Sequence, residues 1–243
     1  MCIISIYHIA CSQQKMKISA EFSKYASHYG VYNVIQNQVA LKLLSCVSGT
    51  PKKILDLGCG NGALCKSITW KYDSFKGIDF AQGMLELHPK SSAIEVVYGD
   101  FNDQNLFDVL QADSYEYVLS ASALQWAENL EMVFKNIKKL GAPVALAIFT
   151  ADTFKTLNAT ASLEPLLRSK EYIDELQKKY FDAEFEVVQY KLEFESTREM
   201  FRYIKQSGVS ASRKVLDYKA TKKLMREYPL NYLEFEVAFI CSH

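Results

Sequence analysis

The run Ile54-Leu55-Asp56-Leu57-Gly58-Cys59-Gly60-Asn61-Gly62 constrains this chain more than any other segment. An apolar stretch enters a turn whose glycines permit a positive φ and let backbone approach a ligand closely. The helix expected to follow opens with its electropositive N-terminus toward the turn, a setting suited to a polar or charged ligand. About one βαβ unit later a second apolar run ends in an acid, Gly77-Ile78-Asp79-Phe80. An acid at that point is suited to accept hydrogen bonds from ribose hydroxyls. The pattern is G-x-G-x-G rather than the dinucleotide G-x-G-x-x-G, so the glycines alone do not choose the cofactor.

The alternation of elements is that of an α/β domain with a mostly parallel sheet. Strands are expected at 53–57, 74–79, 94–98, 115–120 and 144–149, with helices over 62–71, from about Ala81, and over 130–140. Alternation then fails: 151–179 reads as helices, 185–194 as a strand, 197–206 as a helix and 232–240 as a last strand. Pairing the last two strands as an antiparallel edge completes a seven-stranded sheet. Before the first strand, Phe22, Tyr25, Ala26, Tyr29, Val34, Ile35, Val39, Leu43 and Leu44 are spaced for one or two amphipathic helices. The reading is a single domain over 19–243, with lid elements around 151–180 and 197–230. Residues 1–18 form an extension outside the fold. That extension is apolar but lacks the basic start and small-residue cleavage pattern of a secretory signal.

Composition narrows the chemistry by exclusion. The 28 basic and 28 acidic residues cancel, which removes any global charge argument for nucleic acid. Six cysteines form no C-x-x-C pair and four histidines stand apart, so neither a zinc site nor a disulfide framework is legible, and a reducing cytosol is the default.

The third strand ends in Gly99-Asp100-Phe101. Its acid is placed to accept from an adenine amino group, with Phe80 and Phe101 on either side of the ring. One acid for a ribose, another for adenine, and glycines beside an amino-acid moiety are what S-adenosylmethionine requires, whereas no second mononucleotide half is visible for a nicotinamide cofactor. Two alternatives stay open: Asp56 caps the glycine turn instead, and Phe101 belongs to the core.

The order of Asp56-x-Gly58-x-Gly60-x-Gly62, Asp79, Asp100 and Ser120 resembles the class I S-adenosylmethionine-dependent methyltransferases over nearly all of residues 19–241. Further segments are similar to the malonyl-acyl-carrier-protein O-methyltransferases of biotin synthesis. They are Phe22-Ser23-Lys24-Tyr25-Ala26-Ser27-His28-Tyr29 with Gln36, Ser122-Ala123-Leu124-Gln125-Trp126 with Asn129-Leu130, Arg202-x-x-Lys205-x-x-Gly208-x-Ser210, and Tyr228-Pro229-Leu230-Asn231-Tyr232. The resemblance implies a Rossmann-like fold, S-adenosylmethionine as methyl donor with S-adenosylhomocysteine as product, and a carboxylate acceptor on acyl-carrier protein. It also implies that Tyr29 and Met84 touch the cofactor and that Gln125 and Trp126 position the acceptor. For the substrate carboxylate, the family pattern points to Arg202 and Lys205, three apart and on one helix face, with Arg213 next. No general base is expected, since that carboxylate is already ionised at neutral pH.

Local charge agrees with an acidic partner. Between Met200 and Arg226 eight basic residues face one acid, Asp217, for a net charge of +7. The reading therefore carries acyl-carrier protein as partner and neither nucleic acid nor membrane. Two rival functions are a class I methyltransferase acting on another small acid, amine or quinol precursor, and a cofactor-binding interaction protein without transfer activity.

Overall fold

The computed structural model describes residues 33–206 and 217–242, except for the side chains of 205 and 206. The N-terminal extension, the segment from Phe22 to Tyr29, and Arg213 lie outside the described residues. Helix α1 (Val34–Ser45) leads into strand β1 (Lys53–Leu57), followed by α2 (Ala63–Ser67), β2 (Ser74–Asp79), α3 (Gln82–Leu85), β3 (Ile94–Tyr98) and α4 (Gln104–Leu110). The second half runs β4 (Tyr117–Ala121), a 3₁₀ turn (Leu124–Trp126), α5 (Leu130–Lys139) and β5 (Val144–Phe149). After it come α6 (Lys155–Thr160), α7 (Lys170–Tyr180), β6 (Glu184–Glu193), α8 (Thr197–Gln206), α9 (Tyr218–Glu227) and β7 (Tyr232–Cys241).

The strands form one sheet in the order β3-β2-β1-β4-β5-β7-β6. The first five are parallel, and β7 is antiparallel to both of its neighbours, β5 and β6. The expected mostly parallel, seven-stranded sheet is thus present, with its last strand inserted between β5 and β6. Chain order reverses around β1, which has β2 on one side and β4 on the other. A doubly wound sheet opens a crevice at such a reversal, beyond the carboxyl ends of the strands.

Both faces of the sheet are covered, which is why β5 is buried along its whole length. On one face α5 and α7 set Val133, Phe134, Ile137, Ile173 and Leu176 against Leu55, Leu57, Val118 and Leu146. Phe134 meets Phe181 edge-on at 5.1 Å between ring centres. On the other, Ile35, Val39 and Leu43 of α1 and Met200 and Tyr203 of α8 join Phe75, Leu119, Phe149, Phe235 and Phe239.

One helical expectation needs correction. The helix expected over 62–71 stops at Ser67, because Ile68 is extended and the following residues are tied to the approach of β1. Trp70 donates its indole N–H to the Pro51 carbonyl, and Lys52 Nζ donates to the Lys71 carbonyl. The helices expected over 151–179 are present as α6 and α7, separated by a loop in which Ser162 adopts φ 52° and Pro165 follows. The resulting loop carries Arg168.

A polar knot holds β7 in its inserted place. The carboxylate of Glu236, buried, accepts from Thr150 Oγ1 at 2.6 Å, Gln189 Nε2 at 2.9 Å and Lys170 Nζ at 3.1 Å. It thereby joins β5, β6 and the start of α7. Glu236→Ala removes the acceptor of three donors, of which the Thr150 hydroxyl is buried, and leaving a buried donor unpaired costs about 1–3 kcal/mol. Thermal denaturation is expected to show a clear loss for Glu236→Ala and a smaller one for Glu236→Gln, which keeps one carbonyl oxygen as acceptor.

Candidate cofactor site

The glycine turn is built by three residues of positive φ, Gly58 at 77°, Gly60 at 53° and Gly62 at 84°. Its entry is fixed by the N–H groups of Gly58 and Cys59, which donate to the Ile78 carbonyl at 2.7 and 3.0 Å. The three glycines do different work. A Cβ on Gly58 would lie 2.2 Å from the Ala123 Cβ, and one on Gly62 would lie 2.5 Å from Pro89 and 3.0 Å from the His88 ring. A Cβ on Gly60 would meet nothing within 4 Å among the described residues. Only Gly60 of the three turns open space toward a ligand, so the expectation that all the glycines serve ligand approach is corrected for Gly58 and Gly62, where close packing demands the missing side chain.

Asp79, at the end of β2, is built into this turn. One carboxylate oxygen accepts from the Gly60 N–H at 2.9 Å and the other from the Ala81 N–H at 2.8 Å. Burial raises its pKa, while the N–H groups of Ala81, Gly60 and Phe80 pull it back. Each oxygen retains a lone pair, so ribose recognition and support of the turn are compatible.

Asp56 is in a different position. It is 1 % exposed, and its Oδ1 has no hydrogen-bond partner among the described residues. Burial, reinforced by the charge of Asp79, pushes its pKa well above the ordinary carboxylate range. A buried carboxyl beside an open backbone wall is an unfilled demand for a cation or a donor. The α-ammonium of a methionine moiety meets that demand, so the residues present fit S-adenosylmethionine.

The remaining candidates are distributed around this centre. Asp100 Oδ1 accepts from both the backbone and the side-chain amide of Asn102 at 2.8 Å. Phe80 is half-buried and Met84 buried at the base of the crevice. Phe101 is 5 % exposed and packs into the core with Leu57, Ile78 and Ala123; the stacking expectation for it gives way to the core alternative. Ser120, fully buried, donates its hydroxyl to the Leu57 carbonyl at 2.6 Å and so ties the end of β4 to the end of β1. Cys59 packs against Gly77, where a Cβ would stand 2.8 Å from its sulfur, and burial pushes its thiol pKa far up. His88, buried beside Gly62, is pulled toward the neutral form by burial, with Nδ1 at 3.0 Å from the Pro89 carbonyl.

Beyond β4 the chain turns sharply at Ser122, which holds φ 60°. Gln125 is 7 % exposed; its Nε2 donates to the Ser122 carbonyl at 2.6 Å, while its Oε1 and the Ser122 hydroxyl have no partner among the described residues. Trp126 is half-buried beside it. Because Ala123 of this turn is the residue that fills the space over Gly58, the turn and the cofactor cradle are in direct contact. Arg202 is exposed on α8, whose inward face is Met200 and Tyr203. Lys205 belongs to the same helix, and its side chain lies outside the described residues. Sequence reasoning missed Asn102, whose Oδ1 accepts the Glu128 N–H at 2.8 Å, and Arg168, described below. Neither sits in a motif, since both act on backbone groups distant in sequence.

Two predictions follow from the glycines and Asp56. Gly60→Ala is expected to lose cofactor affinity in calorimetry with a modest fall in melting temperature, because a left-handed non-glycine residue costs about 1–2 kcal/mol. Gly58→Ala is expected to damage the fold first, seen as a larger fall in melting temperature. Asp56, with a folded pKa above its unfolded one, favours the ligand-free fold at low pH and loses that contribution as pH rises through the raised pKa. Asp56→Asn should therefore stabilise the ligand-free protein at neutral pH while cofactor binding collapses. A ligand-free variant that melts no higher than the parent at neutral pH would refute the assignment of a buried, under-satisfied Asp56.

Comparison with known proteins agrees with this geometry. Residues 54–143, from β1 to the start of β5, match the family model described as a methyltransferase domain. A malonyl-[acyl-carrier protein] O-methyltransferase of Brevibacillus brevis is 25% identical over 241 residues, covering 88% of this chain and 87% of the relative. One from Methylovorus sp. is 28% identical over 159 residues, covering 60% of this chain and 54%, about half, of that protein. Among solved structures, phosphoethanolamine N-methyltransferase 2 of Haemonchus contortus, in complex with S-adenosyl-L-methionine, superposes with a TM-score of 0.53 at 16% identity, over 91% of this chain and 57% of that one. The chain thus has the class I, S-adenosylmethionine-dependent methyltransferase fold, and in sequence it is similar to the malonyl-acyl-carrier-protein O-methyltransferases.

Proposed function

We propose that this protein transfers a methyl group from S-adenosylmethionine to the free carboxylate of malonyl-acyl-carrier protein, giving the methyl ester that opens pimeloyl synthesis for biotin. One observation carries the choice of acceptor: similarity to the Brevibacillus relative extends over 88% of this chain, well past the cofactor half at 54–143 and into the acceptor side. The rival class I acceptors share the cradle but offer no comparable reason for the second half of the sequence.

When bound, S-adenosylmethionine supplies an electrophilic methyl carbon on a sulfonium. The chain's part is to hold and to align. Asp56 takes the ammonium, the Gly60 backbone faces the ligand, Asp79 meets the ribose, and Asp100 with Phe80 meets the adenine. The acceptor carboxylate is ionised at neutral pH and needs no base. This suits a cradle whose nearby Cys59 and His88 are both held neutral by burial. With the cofactor bound there, the residues named would hold oxygen, carbon and sulfur in line, its methyl carbon offered to one carboxylate oxygen and sulfur as the leaving group that takes the electron pair. Alignment of these three atoms, with water kept out, is worth up to roughly 7–11 kcal/mol. Gln125 and Trp126 serve this alignment, and Arg202, Lys205 or Arg213 receives the substrate's carboxylate.

The carrier protein is acidic as a class, and α9 offers it a basic face. Lys219, Lys222, Lys223 and Arg226 are all exposed, with Lys223 only loosely paired to Glu227 at 3.8 Å and Lys222 resting over the Tyr218 ring at 4.7 Å. Rim charges of this kind act mainly on encounter and are screened by salt.

Mass spectrometry of malonyl-carrier protein after incubation with enzyme and S-adenosylmethionine is expected to show one added methyl group on the malonyl moiety. An unmodified carrier beside consumed cofactor would move the acceptor to another class. With the reaction in hand, reversing Lys222 and Lys223 to Glu should lower kcat/KM for the carrier-bound substrate selectively over malonyl-coenzyme A at fixed ionic strength. Equal losses with both substrates would reassign these lysines to phosphate or pantetheine contact.

A further inference from the structure

Arg168 lies in the loop between α6 and α7, half-buried, and its guanidinium forms no salt bridge among the described residues. All three of its hydrogen bonds go to backbone carbonyls of one short segment: Nη1 to Gln125 at 3.3 Å, and Nη2 to Ala127 at 2.5 Å and Glu128 at 3.2 Å. Burying a cation against neutral carbonyls forfeits hydration without an opposite charge in return. Such an arrangement is unusual enough to ask what it holds.

It holds the turn that leaves β4. That turn begins at Ser122 in the left-handed region, a conformation that persists only when its surroundings over-determine it. On the cofactor side the turn touches the cradle through Ala123 over Gly58, and the Glu128 N–H donates to Asn102, which in turn donates to Asp100. On the opposite side stands Arg168. Its own loop is anchored, with the Arg168 carbonyl accepting from the Ala151 N–H at 2.8 Å and Ser169 capping α7. The turn is thus gripped between the adenine-side acid and the loop between α6 and α7.

We propose that Arg168 is a positioning residue for methyl transfer: by clamping the carbonyls of Gln125, Ala127 and Glu128, it fixes the Gln125–Trp126 turn against the glycine cradle. This rests on the methyltransferase reading above, with the acceptor approaching from that turn. Lysine cannot substitute, because a single ammonium on a flexible stem lacks the planar fork that spans several carbonyls. Asn102 holds the same turn from the cofactor side, so loss of Arg168 leaves the cradle itself intact.

The test uses Arg168→Lys and Arg168→Ala in a Trp70→Phe background, in which Trp126 is the remaining tryptophan. Cofactor affinity by calorimetry is expected to stay near the parent value, while the single-turnover rate with malonyl-carrier protein falls by about 10- to 100-fold, the scale of a displacement of about 1 Å. Trp126 emission should shift in both variants, and added guanidinium should restore rate and emission in Arg168→Ala. If Arg168→Ala fails to fold, Arg168→Lys carries the test alone. Unchanged rate and emission, or a rate loss matched by an equal loss of cofactor affinity, would overturn the proposal. If the parent itself does not methylate malonyl-carrier protein, the acceptor reading fails separately. The emission shift and its guanidinium rescue would then still decide whether Arg168 holds the turn.

Discussion

Everything at this site depends on two buried carboxylates held at the ends of adjacent parallel strands. Asp79 is satisfied from within, by the N–H groups of Gly60 and Ala81, and in being satisfied it shapes the glycine turn. Asp56 Oδ1 has no partner among the described residues, and the proximity of Asp79 raises the pKa of Asp56 further. A fold that keeps an unpaired carboxyl at its centre loses stability for it. The return comes when a cation arrives, so the cost of folding and the affinity for ligand are two readings of the same buried carboxyl. The sheet makes this arrangement available because chain order reverses at β1 and leaves the ends of β1, β2 and β4 around one crevice.

The crevice and the acceptor side form one mechanical unit. Gly58 lacks a side chain because Ala123 occupies the space, so the entry of the turn after β4 is packed directly on the turn after β1. Ser120 ties the same two strand ends through the Leu57 carbonyl. Asn102 and Arg168 then grip the far end of the turn from opposite sides. Methyl transfer asks for little chemistry from the protein and much alignment, and this architecture spends its polar groups accordingly, on backbone carbonyls and amides.

Much of this was legible in the sequence, for reasons that differ by element. Strands β1, β2, β3 and β5 fall at the expected bounds because apolar runs interrupted by glycine and acid admit few other states. The carboxylates at 56, 79 and 100 were legible because strand ends in a doubly wound fold point to the crevice. The length of α2 was not, since the residues that end it are held by Pro51 and Lys52 from another part of the chain. The glycines were only half legible: periodicity shows where φ turns positive but not whether a ligand or Ala123 fills the vacated space. Phe101 was ambiguous for the same reason, as an aromatic after an acid is equally a stacking platform or a core residue. Arg168 was invisible, because it binds carbonyls, which every residue carries.

The most direct test of the account is a thermodynamic cycle on Asp56 and the amino group it is held to receive. Calorimetry would compare S-adenosylhomocysteine with its deamino analogue, on the parent protein and on Asp56→Asn. The account predicts that the parent strongly prefers the amino-bearing ligand and that Asp56→Asn erases most of this preference, a coupling of the size seen for directly interacting groups, about 0.5–3 kcal/mol. Equal discrimination by both proteins would contradict it, and would leave the buried carboxyl of Asp56 without the role on which the rest of the site is built.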